Sequence, residues 1–336
     1  MWHVINKTNG IKLKKFERKI IIPLFSQMIR YKSTETTITF TEYMETIPDE
    51  TEREILKYIC KRSWKKIKFI DLVDTILANS NEHELRRYYY FYIKQNRELK
   101  KKSSYIEEVE ISGEFKQIFV DFFYEHFFNM DGIWEKIDGS VYTREIFHEN
   151  FKVDNKITVC PYCDIDTMVN SGNAQVEHFW PKSRYPFLAM SALNLISSCH
   201  SCNQPFEGKG IATYNPITMP YYEQIGDKIR FSHDILHRKI KISAGDEPII
   251  NYIDLLKLEK RYGTSSVYNK VGVCAAAIYN SIQEYEHMQN VRLTEDRIKD
   301  YIRNSHFRIE RQDNLYFAIL DTFSDYNEYL KYKGVE

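Results

Sequence analysis

The sequence predicts a mainly α-helical protein with an embedded small α+β module. Apolar residues recur at spacings of three and four through residues 49–130 and again from residue 251 onward, which is typical of amphipathic helices. Between these regions, residues 173–176, 228–231 and 239–242 alternate in the manner of short strands. The same central region contains two Cys-x-x-Cys pairs. We therefore expect a metal-stabilised module between two helical regions.

Length and composition indicate a globular protein of two or three domains. The chain has 336 residues, of which 43% are hydrophobic and 15% aromatic, and only 12 are glycine. We place a helical domain at residues 1–155, the cysteine-containing module at 156–262 and a second helical region at 263–336. The longest apolar run near the N-terminus, residues 20–22, is far too short to span a bilayer. We expect a cytoplasmic protein that does not bind a membrane.

The first half of the chain favours helices over residues 67–77, 82–102 and 114–130, and the second half favours one over residues 266–289. The helix at 82–102 contains five successive aromatic residues followed by several cations, a combination that could stack on the bases of a nucleic acid. Rings on every face of a helix more often indicate burial on several sides. We interpret this run as core or as a partner interface.

Charge is balanced overall but unevenly placed. The net charge is zero, yet residues 1–32 carry eight Lys and Arg against one Glu, whereas residues 33–59 carry seven acids against two bases. This basic arm either contacts nucleic acid or pairs with the acidic segment that follows it, and the sequence leaves both readings open.

Four of the six cysteines form two pairs of identical spacing, Cys160/Cys163 and Cys199/Cys202. Each pair sits on a tight turn that directs two thiolates at one point, and two such turns supply the ligands of a closed tetrahedral Zn²⁺ site. The alternatives are four unrelated thiols or a thioredoxin-like redox pair, but no βαβ pattern surrounds the motif. Cys60 and Cys274 are interpreted as ordinary buried thiols.

Between the two pairs lies a dipeptide that can carry chemistry, Glu177-His178. It ends the strand-like run and precedes Pro181, so one side chain can hold a metal while the other addresses a water. Asn203 directly follows the last cysteine and is expected at the start of a short helix, where it could bring a second oxygen to the same ion. A carboxylate, an amide and an imidazole together favour a one-metal hydrolytic site.

At these residues the chain resembles the HNH, or ββα-metal, nuclease family. The motifs stand here as Glu177-His178, Asn194-Leu195, Cys199-x-x-Cys202-Asn203 and Lys209-Gly210. They look closest to HNH effectors of bacterial anti-phage systems of the Septu and retron-associated type. The resemblance covers residues 156–262 and weakens towards its end.

The resemblance implies a ββα-metal (His-Me finger) core with a four-cysteine zinc site, flanked by helical regions. It makes His178 the general base, Glu177 and Asn203 the ligands of a catalytic Mg²⁺ or Mn²⁺, and Asn194 the residue that braces the loop holding His178. Glu177 stands where Asp is more usual, and Asn203 stands where the family has a His. Both still offer an oxygen, so these departures bear on the preferred ion more than on activity.

The expected substrate is double-stranded DNA, with Lys182, Arg184 and Lys209 as candidates for phosphate contacts. Side-chain charges between residues 156 and 210 balance, and four thiolates on one Zn²⁺ add a net negative charge. Affinity for DNA comes mostly from Lys and Arg, so we expect the grip to come from residues 1–32 and 94–102. A defence-system partner such as an ATPase or a retron component is also implied. The alternatives are a non-catalytic zinc-ribbon module that binds nucleic acid or protein, and an HNH nuclease acting on RNA.

Overall fold

The structure is a computed structural model that describes residues 1–334 apart from 35, 103–104, 169–173, 205–207, 235, 299, 302–313 and 324–333. It is mainly helical with small two-stranded sheets, which confirms the predicted class at this level. The chain divides into two compact units. Unit 1 comprises Met1–Val4, Asn155–Gln175 and Ser198–Glu336, and unit 2 comprises Ile5–Asp154 and Val176–Ser197. The predicted limits at 155/156 and 262/263 stay a prediction.

The first part of unit 2 is helical, and three of its helices begin at side-chain caps. Its elements up to residue 98 are α1 (Lys7–Phe16), a π-helical segment (Glu17–Ile21), α2 (Ile22–Ser33), α3 (Phe40–Glu45), α4 (Glu50–Cys60), the hairpin strands β1 (Ser63–Trp64) and β2 (Ile67–Lys68), α5 (Phe69–Asn79) and α6 (Glu82–Glu98). Thr39, Asp49 and Asn81 each accept a hydrogen bond from the backbone N–H three residues later. Such caps satisfy donors that the first helical turn leaves without a partner.

The rest of unit 2 includes the helical segment against which His178 packs. It contains α7 (Gly113–Gln117), a π-helical segment (Ile118–His126), a 3₁₀ turn (Phe127–Asn129), α8 (Asp131–Asp138) and α9 (Arg144–Asn155). The returning stretch Val176–Ser197 completes the unit. The predicted helix over 114–130 therefore exists, with its middle wound as a π-helix.

Aromatic rings form the core of unit 2. Tyr92 of α6 is buried and packs against Phe119 and Phe187, with centroids 5.9 and 6.2 Å apart. Phe25 stacks on Phe115 at 5.6 Å. Tilted and edge-on ring pairs of this kind each stabilise a fold by about 1 kcal/mol beyond their area burial. The aromatic run of α6 therefore contributes to the core, in keeping with its interpretation from the sequence.

Unit 1 contains a second hairpin and the C-terminal helices. Its elements are α10 (His200–Asn203), a 3₁₀ turn (Gly226–Lys228), β5 (Arg230–Asp234), β6 (Lys239–Ser243), α11 (Glu247–Leu255), α12 (Leu258–Tyr262), α13 (Ser265–Gln289) and a helix at Tyr316–Phe323. β5 and β6 pair antiparallel from Arg230–Ser243 to Asp234–Lys239. The predicted hairpin and the predicted long helix both appear, displaced from their expected limits by at most three residues. Cys274, on α13, is half-buried rather than buried.

Strands β3 (Ala174–His178) and β4 (Leu195–Cys199) form a two-stranded sheet of their own. Both strands cross the division, so the chain enters unit 2 within β3 and returns to unit 1 within β4. The predicted strand started at Asn173, which lies outside the described residues. Over the residues that the structure describes, no helix is long and apolar enough to cross a membrane.

Candidate functional site

The four cysteines of the two pairs meet in unit 1. Their sulfur atoms all lie within 4.8 Å of one another, and all four side chains are buried. The sulfurs of Cys160 and Cys202 are 3.8 Å apart, and those of Cys163 and Cys199 are 3.9 Å apart. A tetrahedral ion with Zn–S bonds of about 2.3 Å separates its sulfurs by about 3.8 Å. The cluster therefore fits a structural metal such as zinc.

A tight turn positions the first pair, Cys160 and Cys163. The Cys160 N–H donates to the Asp166 carbonyl at 2.8 Å, and an isolated antiparallel bridge joins Val159 to Thr167. Asp164 ends the turn with φ of +60°, a left-handed conformation that Asp tolerates better than most residues. The backbone thus reverses directly after Cys163, which brings both sulfurs to the same side.

The second pair spans the junction of β4 and α10. Cys199 is the last residue of β4, and Cys202 lies in the single turn of α10. The Cys202 carbonyl accepts a hydrogen bond from the Lys209 N–H at 3.0 Å. Gly208 passes so close that a Cβ there would lie 2.1 Å from the same carbonyl oxygen. Only glycine permits this approach, which explains Gly208 beside the second cysteine pair.

Donors from outside the two pairs surround the sulfurs. Arg261 of α12 directs Nη1 at the Cys202 sulfur, 2.8 Å away, and Nη2 at the Asp166 carboxylate, 2.7 Å away. The Ile165 N–H donates to Cys163 and the Cys199 N–H donates to Cys160. Burial alone would lower the pKa of Arg261, but the cysteine sulfurs, Cys163 foremost, raise it. Four thiolates on one Zn²⁺ carry a net charge of −2, and Arg261 offsets part of it.

Asp164 ties the first turn to other parts of unit 1. Its carboxylate accepts hydrogen bonds from the Trp2 indole at 2.8 Å and from the Phe317 N–H at 3.1 Å. Complete burial raises the pKa of Asp164 to about 7, although both hydrogen bonds act in the opposite direction. The turn that carries Cys163 is thus held by segments near both ends of the described chain.

His178 ends β3 and lies buried in unit 2. Its Nε2 is 3.0 Å from the carbonyl oxygen of Ala189. Because a carbonyl oxygen can only accept, Nε2 carries the proton in the neutral ring and the basic lone pair is on Nδ1. The Ala189 carbonyl thus fixes the orientation of the ring and the tautomer of its neutral form.

Asn194 holds the loop between the two strands. Its side-chain nitrogen donates to the carbonyls of Trp180 and Leu188 at 3.0 and 3.1 Å, and its oxygen accepts from the Trp180 N–H at 2.7 Å. Its own carbonyl accepts from the Phe179 N–H. The fully buried side chain of Asn194 therefore links both ends of the segment between His178 and Ala189.

Tyr124, from the π-helical segment of unit 2, packs against His178. Its ring meets the His178 ring edge-on with centroids 4.3 Å apart, and its hydroxyl donates to the Val176 carbonyl at 2.9 Å. Burial raises the pKa of Tyr124; Arg144 opposes this effect, and the charges of Glu125 and Glu177 reinforce it. The phenol therefore stays neutral and fixes both the strand and the imidazole.

Two cations also pack against the ring of Tyr124. The Lys182 ammonium and the Arg144 guanidinium lie 4.3 and 4.4 Å from its ring centroid. Both also pair with Glu125. Burial opposes its ionisation, but hydrogen bonds from Lys182 and Arg144 lower the pKa of Glu125. The two cations near Tyr124 are matched by two carboxylates, Glu125 and Glu177, so this part of unit 2 carries no excess of positive charge.

The two predicted ligands of the catalytic ion belong to different units. Glu177 is buried in unit 2 beside His178. Asn203 ends α10 in unit 1, and its amide nitrogen donates to the Gln175 side chain at 2.6 Å. That bond directs the amide nitrogen at Gln175 and leaves the oxygen as the atom that a metal would use. Their assignment to a common ion rests on the sequence.

The three candidates for phosphate contacts are all engaged within the protein. Lys182 pairs with Glu125, and Arg184 pairs with Glu108 at 2.5 Å. Lys209 is 3% exposed and donates to the Gly210 carbonyl at 3.2 Å. A phosphate would therefore have to compete with a carboxylate at the first two, and Lys209 is the least accessible of the three.

The sequence did not single out Tyr124, Arg144 or Glu125, and it did not connect Arg261 with the cysteines. Only Arg261 had a signal in the sequence, since a nearby cation can offset the net negative charge of four thiolates on one Zn²⁺. Compared with protein-family models, with curated proteins and with solved structures, the chain shows no match.

Proposed function

We propose that the chain is a metal-dependent HNH endonuclease that hydrolyses phosphodiester bonds of DNA. The single observation that carries the proposal is the bond between His178 and the Ala189 carbonyl. It fixes the imidazole at the end of a strand so that, in the neutral ring, Nδ1 is the basic atom, as a general base for water requires. The succession of β3, β4 and α10 along the chain, strand, strand and helical turn, supports a ββα-metal core.

In this mechanism His178 removes a proton from the water that attacks phosphorus. A divalent ion held by Glu177 and Asn203, Mg²⁺ or Mn²⁺, would supply Lewis-acid stabilisation of the charge on the phosphate and on the leaving oxygen. We assign Glu177 and Asn203 to that ion because hard oxygen ligands suit these metals. Asn194 positions the loop, and Lys182 and Arg144, which pair with Glu125, would contact the phosphate in place of that carboxylate. The cysteine cluster with its zinc acts as a structural centre.

Cleavage of supercoiled plasmid tests the proposal. The protein is incubated with Mg²⁺ or Mn²⁺, with and without EDTA, and a labelled RNA of the same sequence forms a parallel series. We expect His178→Ala to lower the cleavage rate at least about 100-fold, since general base catalysis contributes 10²- to 10⁴-fold. The variant should stay folded and keep the metal content of the wild type, although loss of a buried ring lowers its unfolding temperature. His83→Ala, an exposed histidine of α6, is the control.

A His178→Ala protein that nicks DNA at the wild-type rate would refute the assignment of the base. Cleavage of the RNA and not the plasmid would move the proposal to an RNA-directed nuclease, which the resemblance also allows. Zinc content is measured in every sample, because EDTA can remove a structural ion as well as a catalytic one.

A non-catalytic zinc-ribbon module that binds nucleic acid or a protein is the second candidate. One observation favours it: within the described part of the chain, the four cysteines are the only group of three or more Cys, His, Asp or Glu side chains that could share an ion. Mg²⁺ is often held by only one or two carboxylates together with substrate phosphates, so a nuclease also remains consistent with this observation. Binding of plasmid without cleavage under every ion would favour the module.

A further inference from the structure

A second site borders the loop that holds His178 and lies entirely within unit 2. It is an open cavity of about 350 Å³, within the range of small-molecule sites. Residues 190–193 of the loop form one wall, and α1 and α6 form the others. Leu13, Tyr92 and Met190 make its floor apolar, while Lys14, Arg97 and Lys100 stand at its rim.

The charges of this rim are unbalanced. Glu17 is the only acid among the lining residues, and it already pairs with Lys14 at 2.5 Å and accepts a hydrogen bond from Tyr92. No carboxylate of the described residues forms an ion pair with Arg97 or Lys100. The neighbouring cations of α6 differ in this respect, because Lys94 pairs with Glu107 and Lys101 pairs with Glu98.

The cavity collects parts of both basic stretches that the sequence singles out. Lys14 comes from residues 1–32, and Arg97 and Lys100 come from residues 94–102. Arg97 and Lys100 are exposed, so they can reach an anion without leaving a buried partner behind. An excess of positive charge above an apolar floor fits a ligand with a phosphate group and an apolar or aromatic body.

We propose that this cavity binds a phosphate-bearing ligand of about mononucleotide size, with Arg97 and Lys100 on the phosphate. The ligand is either a free nucleotide or the terminal nucleotide of a strand, since the phosphate chemistry is the same. The half-buried amide of Asn96, which donates to the carbonyls of Tyr92 and Phe187, adds a polar group to the wall for the remainder of the ligand.

A ligand bound in this cavity would also contact the loop that holds His178. The lining residues 190–193 directly follow Ala189, whose carbonyl accepts from His178, and directly precede Asn194. The Asn6 side chain donates to the Ala192 carbonyl at 2.9 Å, so the segment is held from the α1 side as well. A bound ligand would order the four residues between Ala189 and Asn194. Any consequence for cleavage rests on the proposed nuclease function, whereas binding does not.

Titration calorimetry of the full chain tests binding without reference to cleavage. The probes are inorganic phosphate, AMP, ATP and a 5′-phosphorylated tetranucleotide, each at low and at moderate salt. We expect the double variant Arg97→Gln/Lys100→Gln to weaken binding at least about tenfold for each cation removed, because bonds to charged groups are the strong ones. The control is Lys94→Gln/Lys101→Gln, which removes the same charge from the same stretch outside the cavity.

Hydrogen exchange of residues 190–194 gives the second readout. Ligand should slow exchange there in the wild type and in the control variant, and not in the Arg97/Lys100 variant. Binding of a mononucleotide that depends on Arg97 and Lys100 supports a free nucleotide as ligand. Binding of the tetranucleotide alone, with the same dependence, supports a strand end. The proposal is overturned if no probe binds at millimolar concentration, or if the two double variants bind equally well.

Discussion

Tyr124 and His178 meet ring edge to ring face at 4.3 Å between centroids, while the Tyr124 hydroxyl donates to the backbone at Val176. One side chain from the helical part of unit 2 therefore fixes both the strand that carries the candidate base and the base itself. Since the Ala189 carbonyl accepts a hydrogen bond from Nε2 of the imidazole, the ring is held from two directions.

Replacing Tyr124 should disorder the imidazole without unfolding the protein. Tyr124→Leu removes the ring and the hydroxyl, and we expect kcat to fall about 100-fold with little change in KM, the size of effect that a small misplacement produces. Tyr124→Phe keeps the ring and should fall less. Nitrogen NMR of the imidazole should show a lower fraction of the Nε2–H tautomer in Tyr124→Leu.

Tyr90→Leu is the matched control, because Tyr90 is a 59% exposed tyrosine of the same unit. A folded Tyr124→Leu protein with wild-type kcat and an unchanged tautomer would show that Tyr124 does not position His178.

Cys202→Ser should lose the bound metal and destabilise unit 1. Three remaining thiolates do not close a tetrahedral site, and metal binding and folding are coupled in such clusters. Elemental analysis should find less than one zinc per chain, and thermal unfolding should begin at a lower temperature. Cys60→Ser replaces a buried cysteine of unit 2 and should keep the metal. A stable, metal-free Cys202→Ser protein would remove the structural role from the cluster.

The mainly helical class and the cysteine cluster were predictable because both leave local patterns in the sequence. Helical periodicity located α13, alternation located β5 and β6, and identical spacing located the cysteines. Tyr124 and Arg261 were not predictable in the same way. They contact Val176 and Cys202 across 52 and 59 residues, and no run of neighbouring residues encodes such contacts.

Contacts between residues that are distant in sequence also determine how the chain divides into two units. The sequence predicts three consecutive regions, and their limits stay a prediction. Each compact unit of the structure combines separate stretches of the chain. Residues 176–197 belong with residues 5–154, although the cysteine pairs on either side of them belong to unit 1. A fragment that starts at residue 156 would leave that segment without the rest of its unit. Contributions of the N-terminal region to nucleic-acid binding are therefore better measured by substitution in the full chain.

Arg261→Met should weaken metal binding. The guanidinium donates to the Cys202 sulfur at 2.8 Å and is held in place by Asp166. Groups in this position change metal affinity about 10- to 100-fold when they are removed. Competition with a chromogenic chelator measures the affinity directly. Lys260→Met, an exposed cation of the same helix, should leave it unchanged. Equal affinities in the two variants would assign Arg261 to packing alone.

His148 should make the protein less stable in weak acid. It is buried on α9, and its Nδ1 lies 2.8 Å from the Ser197 hydroxyl. Burial, assisted by the positive charge of Lys152, lowers the pKa of His148 to about 4. An unfolded chain binds this proton below a pH of about 6.5, whereas the folded chain does not until pH falls to about 4. The free energy of unfolding therefore decreases as pH falls through this window.

The loss attributable to His148 should be about 2 kcal/mol between pH 7 and pH 5, because one unit of pKa difference corresponds to about 1.4 kcal/mol. Asn can keep a hydrogen bond to Ser197 and does not titrate, so His148→Asn should lose less stability over the same interval. Urea unfolding of both proteins at pH 7 and pH 5 measures the difference. His83→Asn, at an exposed site, should behave like the wild type. If His148→Asn and the wild type lose equal stability, proton uptake at another group must account for the acid sensitivity.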